Sequence, residues 1–151
     1  MSSATDTVKI ERAQPADEAF IRGLLQRADL PADDFAAHLP HFLVARHEAV
    51  VVGSVGFERH GEDALLRSLA VAPAWRGHGL GAALVRRLET EAGSAGVRQL
   101  YLLTTTAEAF FARRSFRPVL RDQVPSAVAA TPEFQSLCPA SAVCLTRTLP
   151  S

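Results

Sequence analysis

The sequence predicts an α/β domain, and three observations predict it. Consecutive β-rich runs in the first half read as an antiparallel meander. A strand, a glycine-rich turn and a long amphipathic helix then follow in direct succession, and an almost continuously apolar run after them reads as a strand covered on both faces. A length of 151 residues suits one core. We expect a single domain over residues 7–148, with 1–6 and 149–151 as flexible termini. Hydrophobic residues make up 48% of the chain and charged residues 21%, enough apolar surface to offset ordering entropy and to exclude wholesale disorder.

Each element has its own signal. Thr7 to Ala13 alternates apolar and polar residues with the period of a strand. Pro15 and Asp17 open a helix with Phe20, Ile21, Leu24 and Leu25 on one stripe, and a second short helix is expected near Asp33 to His38. His41 to Arg46 and Ala49 to Glu58 form a hairpin across His47 and Glu48, and Ala64 to Val71 is the next strand. Leu80, Leu84 and Leu88, joined by Val85, mark a helix over Ala82 to Ala92 that stops near Gly93 or Gly96. Gln99 to Thr104 is the buried strand. Thr105 with Glu108 fits a capping box for a helix carrying Ala109, Phe110 and Arg113. Phe116 to Arg121 and Ser141 to Arg147 are the final strands, with Thr131 and Pro132 placed to begin a short helix between them.

Sixteen basic residues balance sixteen acidic ones, so no net field draws the chain to nucleic acid or to an anionic membrane. The most apolar run, Ala49 to Phe57, is far shorter than the roughly 18 residues of a membrane span. Two cysteines, Cys138 and Cys144, make no disulfide scaffold, and no apolar leader opens the chain; the expected compartment is the cytoplasm. His38, His41, His47 and His60 are scattered without metal-ligand spacing, so no metal is expected.

The chemistry concentrates in LLRSLAVAPAWRGHGLGAALVRRLE. The first amides of a helix lack intrahelical partners and lie at the positive end of its dipole, so a turn without side-chain bulk lets a phosphate approach them. Gly77, Gly79 and Gly81 remove that bulk, and Arg76 adds a positive charge. The turn lacks the Lys-Ser/Thr pair of a P-loop, and its glycine spacing is not that of a dinucleotide fold. A tight connection with no ligand is the alternative reading of the glycines alone.

The segment Leu69-Ala70-Val71-Ala72-Pro73 followed by Arg76-Gly77-His78-Gly79-Leu80-Gly81 resembles the signature of the GNAT superfamily of N-acetyltransferases. Ala109 to Phe116 is similar to a second, downstream element of that family, and with the strand order the resemblance covers residues 7 to 148. It implies a mixed sheet with flanking helices, whose fourth and fifth strands splay around acetyl-coenzyme A as cosubstrate. By resemblance, the pyrophosphate rests on the amides of Arg76, Gly77, His78, Gly79, Leu80, Gly81 and Ala82, and the pantetheine arm bonds the backbone at Leu69 and Val71.

An amine with a pKa near ~10 must lose a proton before it attacks a thioester. The developing oxyanion needs a backbone amide, expected near Leu69 or Val71. Glu58 is the candidate base, with Glu62 and Asp63 following it in a loop; a solvated strand-end carboxylate or a water relay are the alternatives. His78 belongs to the phosphate turn. Where many family members carry a tyrosine this chain has Phe111, which donates no proton, and the family's glycine before the last Phe is Ser115. The only tyrosine, Tyr101, reads as a core residue.

Leu65 to Val71, Leu102 to Phe111 and Thr131 to Cys144 further resemble the small acetyltransferases of arsenic resistance. The implied substrate is a small toxic amine, such as an amino acid bearing an arsenic-containing acid group. Arg67 is the candidate anion clamp for such a group, Thr104 a candidate substrate hydroxyl, and Cys138 with Cys144 candidate soft ligands for trivalent arsenic. The rival functions are a general small-amine or protein N-terminal acetyltransferase and a non-catalytic acyl-CoA-binding or arsenic-sensing module. Homodimers are common among similar proteins, and no patch in the sequence marks such a surface.

Overall fold

The computed structural model describes residues 8–137 and 141–150; Thr7, Cys138, both expected terminal extremities at 1–6 and Ser151 lie outside them. Seven strands form one mixed sheet: β1 (Val8–Arg12), β2 (Phe42–His47), β3 (Val50–His60), β4 (Asp63–Val71), β5 (Gln99–Thr104), β6 (Arg117–Pro118) and β7 (Val143–Thr148), in the order β1-β2-β3-β4-β5-β7-β6. β1/β2, β2/β3, β5/β7 and β6/β7 pair antiparallel. β4 and β5 pair parallel over Asp63–Leu65 and Gln99–Tyr101, and β4 then continues to Val71. Among the described residues four α-helices accompany the sheet, α1 (Glu18–Arg27), α2 (Leu80–Ser94), α3 (Glu108–Ala112) and α4 (Ser126–Ala129), and a π-helix follows Thr131 and Pro132 at Glu133–Leu137. No helix among the described residues is long and apolar enough to cross a membrane.

Where structure and sequence differ, local chemistry gives the reason. The short helix expected near Asp33 to His38 forms slightly later, as a 3-10 helix over Phe35–His41 with Pro40, which has no N–H to donate, inside it. The last helical cap is not a Thr105 box. Ala107 is the N-cap of α3, and its amide donates to the Thr104 hydroxyl at 3.0 Å. Phe116 to Arg121 shrinks to the two residues of β6, followed by a 3-10 turn at Arg121–Gln123. Phe20, assigned to the buried stripe of α1, is 54% exposed, while Ile21, Leu24 and Leu25 are buried.

The chain divides into two compact units. The first, Met1–Phe57 with Ser68–Glu91, packs Ile21, Leu24 and Leu25 of α1 against Phe35, Leu39, Phe42 and Val44. The Phe35 and Phe42 rings lie 5.6 Å apart, and Gly56 has no side chain because a methyl there would collide with the Phe42 ring. The second unit, Glu58–Arg67 with Ala92–Ser151, gathers Leu65, Tyr101, Val124, Val128 and Cys144. In it the Thr146 hydroxyl donates to the Leu100 carbonyl at 2.8 Å and accepts from Gln99, tying β7 to β5 by side chain as well as backbone.

One ion pair fixes the entry to α1. Asp17, only 6% exposed in its side chain, accepts from both Arg46 terminal nitrogens at 3.1 and 2.9 Å and from the Gln14 amide at 2.9 Å. Burial by itself would raise the Asp17 carboxyl, but the hydrogen bonds from Arg46 and Gln14, with the Arg46 charge, outweigh it and hold the group below its ordinary value of 3.8. A carboxyl with a depressed folded-state value stabilises above the unfolded value and loses that contribution as pH falls through the folded one. Asp17→Asn is therefore expected to cost about 2 kcal/mol at neutral pH. Urea denaturation should also show its stability varying less than wild type between about pH 5 and pH 3.

Candidate active site

The end of β4 leads through a 3-10 turn, Pro73–Trp75, into the glycine-rich segment. The Ala72 amide donates to the Val52 carbonyl at 2.8 Å, anchoring this exit on β3. Gly77 and Gly79 adopt φ of +82° and +80°, the left-handed region that side chains resist, and a Cβ on either would meet open space. The Arg76 amide donates back to Pro73 and the Ala83 amide to Gly79. Among the described residues, no protein acceptor is recorded for the six amides between them, Gly77 to Ala82. That run of donors at the start of the fifteen-residue α2 is suited to an anion.

The side chains of this segment divide between exposed and buried or bonded ones. Arg76 Nε donates to the Val71 carbonyl at 3.1 Å, so its guanidinium braces the turn it belongs to. Leu80 is buried, while Gly77, His78 and Gly79 are exposed. The Trp75 and His47 rings are in contact at a tilt of 51°, with centres 4.8 Å apart. Leu69 and Val71 sit on β4 just after Ser68, a residue with φ +61° inside the strand. The Ser68 carbonyl accepts from the buried Ser54 hydroxyl at 2.9 Å. A non-glycine residue in that conformation costs about 1 kcal/mol and marks a local break in the strand's pleat. Nothing in the serine's identity announces it.

Glu58 and Arg67, assigned separately as base and anion clamp, meet each other. Arg67 Nη1 donates to Glu58 Oε2 at 2.6 Å, with side-chain exposures of 0% and 2%. His60 Nε2 lies 3.9 Å from Glu58 Oε1. That nitrogen is buried and has no hydrogen-bond partner, although the ring as a whole is 27% exposed. Sequence reasoning passed over His60, yet residues two apart in a strand share a face, and Glu58 and His60 have that spacing.

The remaining candidates are placed as follows. The Thr104 hydroxyl accepts the Ala107 amide and has a proton left to donate. Phe111 is buried, with ring centres 5.1 Å from Phe110 and 5.3 Å from Phe116, and it fills core. Tyr101 is buried too; burial and the Asp63 charge push its hydroxyl up, partly countered by a hydrogen bond with Thr146. Burial pushes the Cys144 thiol up to about 11, so it is protonated at neutral pH, and its expected companion Cys138 is outside the described residues. Among the described residues, no group of three or more His, Cys, Asp or Glu could hold a metal ion.

A parallel-paired β4 and β5, a β4 that runs on into a glycine turn, and amides converging at the start of α2 define an acyltransferase-type domain. The chain belongs to the GNAT acetyltransferase family: residues 38–118, more than half of it, match the family described as "Acetyltransferase (GNAT) domain". It is 32% identical over 99 residues to an amino-acid acetyltransferase of Pseudomonas syringae pv. tomato, an alignment covering 64% of this chain and 23% of that protein. It is 28% identical over 128 residues to one from Pseudomonas paraeruginosa, covering 83% and 28%. The chain thus spans less than a third of the curated relatives it matches.

Among solved structures, N-acetylglutamate synthase from Neisseria gonorrhoeae with coenzyme A and L-arginine superposes at a TM-score of 0.79, with 22% identity over 95% of this chain and 33% of that one. Rv2747 from Mycobacterium tuberculosis, in complex with CoA and NLQ, superposes at 0.77, with 24% identity over 94% and 99%. These likenesses carry the fold.

The buried pair generates a stability prediction. Arg67→Met leaves the Glu58 carboxylate without its cation and should cost about 3–5 kcal/mol. The double variant Glu58→Gln/Arg67→Met should recover much of that loss. Chemical denaturation of the four proteins of this cycle checks both expectations, and additive losses would contradict them.

Proposed function

We propose that this chain is an acetyl-CoA-dependent N-acetyltransferase whose acceptor is a small amine, in the first place the α-amino group of an amino acid. The observation that carries the reading is the run of six outward amides over Gly77 to Ala82, opened by two left-handed glycines. A diphosphate supplies the acceptors those donors lack. The residues present fit the coenzyme: the amides of Gly77 to Ala82 would hold the pyrophosphate, that of Arg76 being taken by the Pro73 carbonyl, and the backbone at Leu69 and Val71 would hold the pantetheine arm. The exposed His78 adds a coenzyme contact. The acceptor class rests on the relatives named amino-acid acetyltransferase. An amino acid carrying an arsenic-containing acid is the narrower member of that class, supported by the motifs around Arg67, Thr104 and Thr131.

Bound acetyl-CoA supplies an activated carbonyl, and the protein's residues manage charge around it. Glu58 takes the proton that the amine sheds as its nitrogen forms the new C–N bond. A backbone amide at Leu69 or Val71 receives the negative charge on the carbonyl oxygen until the C–S bond breaks and the thiolate leaves to be protonated. Arg67 holds the Glu58 carboxylate in place. When the substrate brings its own acidic group, that group shares the guanidinium and loosens its hold on the base. Thr104 donates its free hydroxyl proton to the substrate. With Phe111 in the core, no tyrosine hydroxyl serves there, and water protonates the thiolate.

Acetyl-CoA should raise the melting temperature, and thiol should be released from it in the presence of at least one amine in a panel of L-amino acids, an arsonate-bearing amino acid and an N-terminal peptide. Release with the peptide alone would favour the protein N-terminal reading. Coenzyme stabilisation without thiol release from any amine would favour a binding module, consistent with the buried Phe111. Gly79→Val, whose side chain enters open space but at an unfavourable φ, should weaken acetyl-CoA binding at least about tenfold. Its circular dichroism should stay native, and an unchanged affinity would remove the phosphate site.

A further inference from the structure

Glu58 is more than 95% buried, so a proton it accepts has no direct way out to solvent. Its neighbour offers one. His60 Nε2 is buried, lacks a hydrogen-bond partner and faces Glu58 Oε1 at 3.9 Å, whereas 27% of the His60 side chain is exposed. The exposure therefore lies on the rest of the ring. An imidazole with one nitrogen inside and its remaining edge in water joins a buried carboxylate to solvent, and its two ring nitrogens let it take a proton and release one.

We infer that His60 is a proton-relay residue for Glu58, carrying the amine's proton from the buried carboxylate to bulk water. The inference rests on the acetyl-transfer reading and extends it to a residue that reading does not use. A separation of 3.9 Å is too long for a direct hydrogen bond. Rotation of the His60 ring toward Oε1 closes the gap. The steps balance: the ammonium proton passes to Glu58, from Glu58 Oε1 to Nε2 once the ring has closed the gap, and the imidazolium swings back outward and releases that Nε2 proton to solvent. Nothing is oxidised, and the neutral imidazole is restored in its starting tautomer.

The charges around His60 favour the transfer. Glu58 on β3 faces it directly; Asp63 on β4 interacts with it electrostatically and is itself raised by burial and by Glu62. Arg67, also on β4, acts on the opposite oxygen of Glu58. The two acidic groups stabilise the transient imidazolium, and Arg67 draws the Glu58 carboxylate away from a tight pair with it, so the proton is not trapped between them.

The test has a turnover arm and a spectroscopic arm. Nuclear magnetic resonance of histidine-labelled protein follows the His60 titration, assigned by the signal that His60→Gln removes. In Glu58→Gln the His60 midpoint should fall by about half a pH unit or more. In the turnover arm, His60→Gln should lower kcat about tenfold and change the acidic limb of its pH profile, with KM near wild type. A merely structural histidine would lower the melting temperature and leave the profile's shape alone. If thiol is released but the His60 midpoint ignores Glu58→Gln, or if His60→Gln keeps the wild-type profile, the relay is overturned while acetyl transfer stands. If no amine releases thiol, the acetyl-transfer reading falls and the relay falls with it.

Discussion

A backbone N–H that finds neither carbonyl nor water is expensive, and chains normally avoid assembling several in one place. Here six successive amides, Gly77 to Ala82, point away from any protein acceptor at the start of α2. The surrounding structure supports that arrangement: φ of +82° and +80° at two glycines, Leu80 buried as the first residue of the helix, and Arg76 bonded back to Val71 so that the turn keeps its shape. Solvent satisfies the donors one by one, whereas an anion satisfies them together. The placement of every other candidate group takes its meaning from what this cradle holds.

The second constraint is charge in a dry place. Glu58 and Arg67 neutralise each other at 2.6 Å with almost no exposure. An isolated buried charge of either sign is far costlier than the pair, which makes the two residues interdependent. This is why neither can be assigned a role alone: a ligand that recruits the guanidinium changes the surroundings of the carboxylate, and a proton on the carboxylate changes what the guanidinium can hold. Asp17 and Arg46 show the same chemistry where the arginine retains some solvent contact and the pair serves the fold.

Much of this was legible from residue order. The period of two in β1, the four-residue leucine recurrence in α2 and the glycine spacing of the turn each encode local geometry through side-chain direction or backbone freedom, and each element formed where those signals lay. Phe42 to His60 formed the expected hairpin, with one irregularity between Ala45 and Arg46. What could not be read depends on contacts distant in sequence. Glu58 and Arg67 were recognised individually, but their pairing is set by how β3 lies beside β4. The left-handed Ser68 carries no mark in a serine, and the region from Phe116 to Thr131 forms a short strand, a 3-10 turn and the one-turn α4 because it packs Val124 and Val128 into the second core, a tertiary reason.

The single tryptophan of the chain occupies a useful address. Trp75 immediately precedes the glycine-rich turn, with its indole centre 4.8 Å from the His47 imidazole. Its emission is therefore a built-in optical probe of that segment: a protonated imidazole quenches indole fluorescence, and any rearrangement of residues 76–82 alters the indole's surroundings. Ligand arrival at the cradle can be followed in real time on the unlabelled protein, with no second tryptophan to blur the signal.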